Sequence, residues 1–146
     1  MSCAINKDSI KKRILEKHRL EAVMSMPDEL FYPIGIITCI MVFRAGVSHN
    51  ENIESWFGYW KDDGFVKTKH NGRVDKNLKW NEIKKSWLDM FRNKKEIVEF
   101  CVKQKVDWED EWCAEAYMKT DYSAIKEVDF INEMKKYIIF NTINEK

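Results

Sequence analysis

The sequence predicts an α+β fold, a small mixed or antiparallel sheet with a β-hairpin, packed by about three helices. Three observations carry this expectation. Residues 20–43, LEAVMSMPDELFYPIGIITCIMVF, read as an apolar strand, a proline break and a second apolar strand. Asp62-Asp63-Gly64 stands between the aromatic run at 56–60 and the segment 65–69, which is a hairpin-turn pattern. Apolar residues then recur at helical spacing in two later segments.

In chain order, Asp8 or Ser9 can cap a short helix running to residue 18, with Ile10, Ile14 and Leu15 on its buried side. Residues 20–26 form a strand that stops at Pro27, which has no amide to give to a ladder. Residues 28–35 make a structured connection, and 36–44 form a second strand. Its apolar side chains do not alternate with polar ones, which predicts cover on both faces. A loop at 46–51 leads to a third strand at 53–60, which returns through Asp62-Asp63-Gly64 into 65–69. Asn71-Gly72 marks a further turn.

Trp80, Ile83, Trp87, Leu88 and Phe91 lie on one stripe, predicting an amphipathic helix over 78–92. A short strand follows at 98–106, and 109–118 fits either a helix or extended chain. Ser123 can cap a last helix near 126–140, with Val128, Ile131, Met134, Tyr137 and Ile138 turned inward. No repeat, low-complexity tract or linker divides the chain, so residues 1–146 are expected to form one domain.

An apolar fraction of 45% and an aromatic fraction of 13% exclude a disordered chain. No apolar run reaches the roughly 18 residues of a membrane span. The charged segment from Lys7 to Arg19 does not resemble a signal peptide, so a cytoplasmic location is expected. Cys3, Cys39, Cys101 and Cys113 form no Cys-x-x-Cys pair and have no histidine at ligand spacing, which makes them structural thiols. His18, His49 and His70 are scattered in polar contexts and suggest no catalytic or metal role. The net charge of +1 hides an asymmetry: residues 61–105 carry thirteen bases against seven acids, and 107–146 carry five against ten. Such a division suits either a partner-binding surface or two halves that pair internally.

The strand–break–strand of residues 20–43 resembles the C-terminal end of the catalytic domain of N6-adenine DNA methyltransferases of restriction-modification systems, the modification subunits of type I systems among them. The likeness continues through WFGYWKDDGFVK from Trp56 and DEWCAEAYM from Asp110. In that family a similar strand–turn–strand follows the catalytic strand and closes the cofactor-binding sheet. The resemblance therefore implies that the fold is a remnant of the end of a Rossmann-like α/β domain. Residues 1–46 would match its closing strands, and 47–146 would form a hairpin plus a helical C-terminal part.

Two motifs carry the family's chemistry. One is a Gly-rich loop that lets the backbone approach S-adenosylmethionine. The other is Asn/Asp-Pro-Pro-Tyr/Phe, which holds and stacks a flipped adenine. The five glycines are too dispersed to form such a loop, and Pro27 and Pro33 are not adjacent. Met1-Ser-Cys-Ala resembles an internal stretch of the family, so the chain is expected to begin downstream of the active site. The expectation is a non-enzyme with no cofactor, no metal and no catalytic residue. A strand like 36–44 would also lack neighbours here, so self-association or docking through it is expected.

Two surfaces are candidates for binding. Trp56, Tyr59, Trp60, Lys61, Lys67, Lys69 and Arg73 interleave aromatics with cations, a pattern that can stack on bases and neutralise phosphates. The same pattern suits a half-buried hairpin whose aromatics simply form its inner face. Asp107, Glu109, Asp110, Glu111 and Glu115 could imitate a phosphate backbone toward a partner, or could merely favour a helix N-terminus. The function expected is a non-catalytic, methyltransferase-derived binding module that binds DNA or a partner protein. The alternative is a phage or mobile-element inhibitor of a host restriction or CRISPR nuclease; a remnant without function is a third reading.

Overall fold

The computed structural model describes residues 7–119 and 126–144. Its elements are α1 (Lys7–Lys17), β1 (His18–Ser25), β2 (Cys39–Ala45), β3 (Glu54–Tyr59), β4 (Val66–Thr68), β5 (Gly72–Val74), α2 (Trp80–Arg92), β6 (Cys101–Lys105), a 3-10 turn at Ala114–Ala116, and α3 (Glu127–Asn144). Four strands form a mixed sheet in the order β2-β1-β3-β6, and β4 and β5 form a separate hairpin. β1 runs parallel to β3 and antiparallel to β2, and β3 is antiparallel to β6. The α+β expectation holds, with a mixed sheet and three helices.

The core lies on both faces of the two central strands. On one face Leu20, Val23 and Phe57 meet Leu15 of α1 and Val106, Trp112 and Ala114 of the following segment. On the other, Ala22, Met24, Trp56 and Trp60 meet Trp87 and Met90 of α2. A bulge at Glu21 makes this division possible, because the β1–β2 register slips between Leu20 and Ala22. The extra residue changes the parity of the strand, so Leu20 and Val23 share one face while Ala22 and Met24 share the other. Each fully buried aliphatic or aromatic side chain here contributes roughly 1.5–3 kcal/mol.

Several expectations change. The strand predicted over 36–44 spans Cys39–Ala45, and it is an edge strand rather than a doubly covered one. Ile36, Ile37, Ile40 and Met41 are exposed, and so is Cys39. The strands covered on both faces are β1 and β3, because the helices pack over the sheet's centre. The hairpin is displaced as well: β3 does not return through Asp62-Asp63-Gly64. That turn, closed by Asp62 Oδ1 accepting from the Gly64 amide, leads into β4, and the hairpin closes between β4 and β5 just before Gly72. Gly72 has φ +66°, the left-handed conformation that favours glycine there.

α1 already includes Asp8 and Ser9, and Ile10 is exposed rather than buried. α2 starts two residues later than predicted. Leu78 takes φ 54° and lies in solvent, while both carboxylate oxygens of Asp75 accept from the Lys79 and Trp80 amides. The final helix forms, but Val128, Ile131, Met134, Tyr137 and Ile138 are exposed rather than inward. Its apolar residues occupy more than one face, so spacing alone could not place it on the core. The Ser123 cap lies outside the described residues.

Candidate nucleic-acid and partner interface

β1 and β3 are parallel, so the segments leaving their C-terminal ends emerge on the same side of the sheet. That is where open sheets with parallel strands usually place ligands. Here Met26, Pro27, Asp28 and Glu29, after β1, face Lys61, Asp62 and Asp63, after β3, across a cleft of about 340 Å3. The β4–β5 hairpin closes one wall with Arg73, and Tyr59 forms the inner end.

Of the aromatic–basic set, Trp56 and Trp60 belong to the core rather than to this surface, at 2% and 8% exposure. Trp60 stacks on Trp87 with centroids 4.5 Å apart and planes 6° apart, and Trp56 donates its indole N–H to Lys95 O at 2.8 Å. Tyr59, Lys61 and Arg73 do line the cleft together. Lys61 Nζ lies 5.0 Å from the Tyr59 ring centre. Lys67 bridges the cleft wall, pairing with Glu29 at 2.5 Å and lying 5.6 Å over Tyr32. Lys69 is exposed in the hairpin turn. Arg73 is engaged already: its guanidinium forks onto Asp63 at 2.9 and 2.6 Å in a largely desolvated pair. Burial raises the Tyr59 phenol above its ordinary range, with Glu115 and Asp28 adding to the shift. The cleft thus sets Lys61 over an aromatic face beside four carboxylates, Asp28, Glu29, Asp62 and Asp63, of which Asp63 is neutralised by Arg73.

The acidic run does not begin a helix of ordinary length. Asp107 Oδ1 accepts from the Glu109 and Asp110 amides, and Asp110 Oδ2 accepts from the Asp107 amide. Glu115 accepts the Ser25 hydroxyl at 2.5 Å, and Ser25 Oγ also accepts the Ala114 amide at 3.0 Å. Three of the five carboxylates therefore anchor this loop to itself and to β1, while Glu109 and Glu111 are exposed. Among the described residues, no group of three His, Cys, Asp or Glu converges to hold a metal ion.

The histidines are placed by geometry that no spacing rule signals. His49 Nε2 lies 2.8 Å from Val106 O, and His18 Nδ1 accepts the Gly46 amide at 3.2 Å. Sequence reasoning also missed the exposed strap over residues 31–41. Its signal was present in the same apolar run, read there as a sign of burial. Among the described residues, no helix is long and apolar enough to cross a membrane.

The family model "N-6 DNA Methylase" matches residues 1–146. The chain is 30% identical over 130 residues to the type II restriction enzyme and methyltransferase RM.BcgI of Heyndrickxia coagulans, covering 89% of this chain and 20% of that protein. It therefore spans about a fifth of that relative's length. Among solved structures it is similar to the methyltransferase subunit of a type I restriction-modification system from Streptococcus thermophilus, with 20% identity, a TM-score of 0.48, and coverage of 70% of this chain and 19% of that one. It is also similar to a modification subunit of a putative type I restriction enzyme from Vibrio vulnificus YJ016, with 15% identity, a TM-score of 0.45, and coverage of 66% and 19%.

Proposed function

The chain belongs to the N-6 DNA methylase family, and from that premise we propose that these 146 residues act as a non-catalytic binding portion of a restriction-modification methyltransferase. In this reading they dock onto a polypeptide carrying the cofactor loop and the Asn-Pro-Pro-Tyr motif, and turn the exposed lysines Lys61, Lys67 and Lys69 near the cleft toward DNA.

One observation carries the reading. The two edges of the sheet are treated differently. β6 presents Lys103 and Lys105, the kind of charge that discourages strand addition. β2 carries Ile40, Met41, Val42 and Phe43 before its first charge at Arg44, and Ile37 and Ile40 are 72% and 47% exposed. An unguarded apolar edge suits β-strand addition by a partner. The alternative inhibitor reading would need a free acidic face, whereas Asp107 and Asp110 are held in hydrogen bonds within their loop and Glu115 is held by Ser25 of β1. That difference favours the docking reading.

The test is reconstitution of methyl transfer. The chain is mixed with a family polypeptide that carries both motifs but lacks these strands, and labelled S-adenosylmethionine and duplex DNA are supplied. Transfer is expected from the mixture, from neither component alone, and not with Ile40→Lys in β2. Methyl transfer by the 146 residues alone would overturn the non-catalytic reading. Full activity of the Ile40→Lys mixture would overturn the docking edge.

A further inference from the structure

At the opposite end of β1 from the cleft, the sheet gathers a second set of cations. Arg19, Arg44, Lys94 and Lys103 line one recess of about 240 Å3 with two carboxylates, Glu21 and Glu54. The four cations come from four separate places: β1, β2, the turn after α2, and β6. Register explains the convergence. Arg19 is the direct cross-strand partner of Arg44, and Trp56 of Lys103. The bulge at Glu21 puts Arg19 on the same face as Ala22 and Trp56, beneath α2.

The recess has too few carboxylates for its cations. Arg44 pairs with Glu21 at 2.6 Å, and Lys103 reaches only to Glu96, at 3.4 Å. Lys94 lies 3.7 Å over the Phe91 ring and 5.3 Å over Trp56, a place where burial lowers its pKa. Its backbone takes φ 45°, a left-handed conformation that costs a non-glycine residue free energy. Arg19 Nε is buried without a hydrogen-bond partner. Two arginines directly opposite on neighbouring strands repel, and a buried guanidinium N–H without an acceptor costs more still. One small anion with several oxygens would offset both the repulsion between the two arginines and the shortage of carboxylates.

We infer that this recess binds a backbone phosphate of DNA, held by Arg19 and Arg44 with Lys94 behind it. Guanidinium forks match phosphate geometry, whereas a carboxylate ligand would offer only two oxygens to four cations. The inference rests on the DNA-binding reading above, and adds to it a contact roughly 20 Å from the cleft, the rise of about six residues of strand.

The experiment uses the full chain and a fluorescent 20-base-pair duplex, with affinity measured by anisotropy across a salt series. Arg19→Gln and Lys94→Gln are each expected to weaken binding roughly threefold to tenfold and to lower the salt slope by about one, while Arg19→Lys keeps most of the slope. Lys61→Gln in the cleft is the comparison. If Lys61→Gln weakens binding and both recess variants bind like the parent, the phosphate site is wrong and the DNA reading stands. If the parent itself binds no duplex, the DNA reading fails, and 31P line-broadening of inorganic phosphate decides the recess. Broadening lost in Lys94→Gln supports a phosphate site; no broadening ends the inference.

Discussion

Arg73 and Asp63 form the most enclosed ion pair among the described residues, with side chains 12% and 6% exposed, and they tie β5 to the loop that follows β3. The bond is two-pronged, and Arg73 also lies 5.7 Å from the Phe65 ring. It fixes the β4–β5 hairpin against the cleft. Removing one partner leaves a buried charge uncompensated, so Asp63→Asn should cost about 3–5 kcal/mol in urea unfolding. Asp63→Leu combined with Arg73→Met should cost clearly less than Asp63→Asn alone. Equal losses would mean that the pair contributes packing and not charge.

Gly58 is constrained by its neighbour two residues earlier. A Cβ there would lie 2.5 Å from Trp56 Cη2 and 2.7 Å from Cζ3. The Trp56 ring is clamped by Phe91 and by its bond to Lys95 O, so it cannot swing aside. Gly58→Ala should therefore cost about 1–3 kcal/mol. The penalty should shrink in a Trp56→Leu background, and a double-mutant cycle in urea reads the coupling.

Ile131 and Ile138 test the exposure of α3. At 41% and 56% exposed they contribute little to the described core. Ile131→Ser with Ile138→Ser should leave the unfolding free energy within about 0.5 kcal/mol per site. A loss of several kcal/mol would show that the helix is covered.

Tyr117 supplies a pH signature. Burial, aided by Asp110, Cys113, Glu111 and Asp107, pushes its phenol from the ordinary 10 up to about 12. Below pH 10 the phenol is protonated whether the chain is folded or not, so its contribution is fully present and stability does not change with pH through it. Between pH 10 and about 12 the unfolded chain releases a proton that the folded chain keeps, so stability falls as pH rises. Ultraviolet titration should show a late-ionising fraction, to which Tyr59 also contributes and which shrinks in Tyr117→Phe, and that substitution should flatten the alkaline loss of stability. A single transition for all tyrosines near pH 10 would contradict this.

What the sequence determined by itself is the set of elements and the family. Period-two and period-3.6 patterns are local properties, so β1, β3, α2 and β6 were found within a few residues, and the long matching runs around Trp56 and Asp110 carried the resemblance. Tertiary structure alone decided which surfaces those elements cover. An apolar strand reads the same at the centre of a sheet and at its edge, so residues 36–44 predicted burial where β2 lies open. Trp60 fits a stacking surface and the inner face of a hairpin equally as a pattern, and it is Trp87, twenty-seven residues away, that takes it into the core. The pairing of Arg19 with Arg44 depends on register, and register is set by cross-strand contact rather than by the order of residues along the chain.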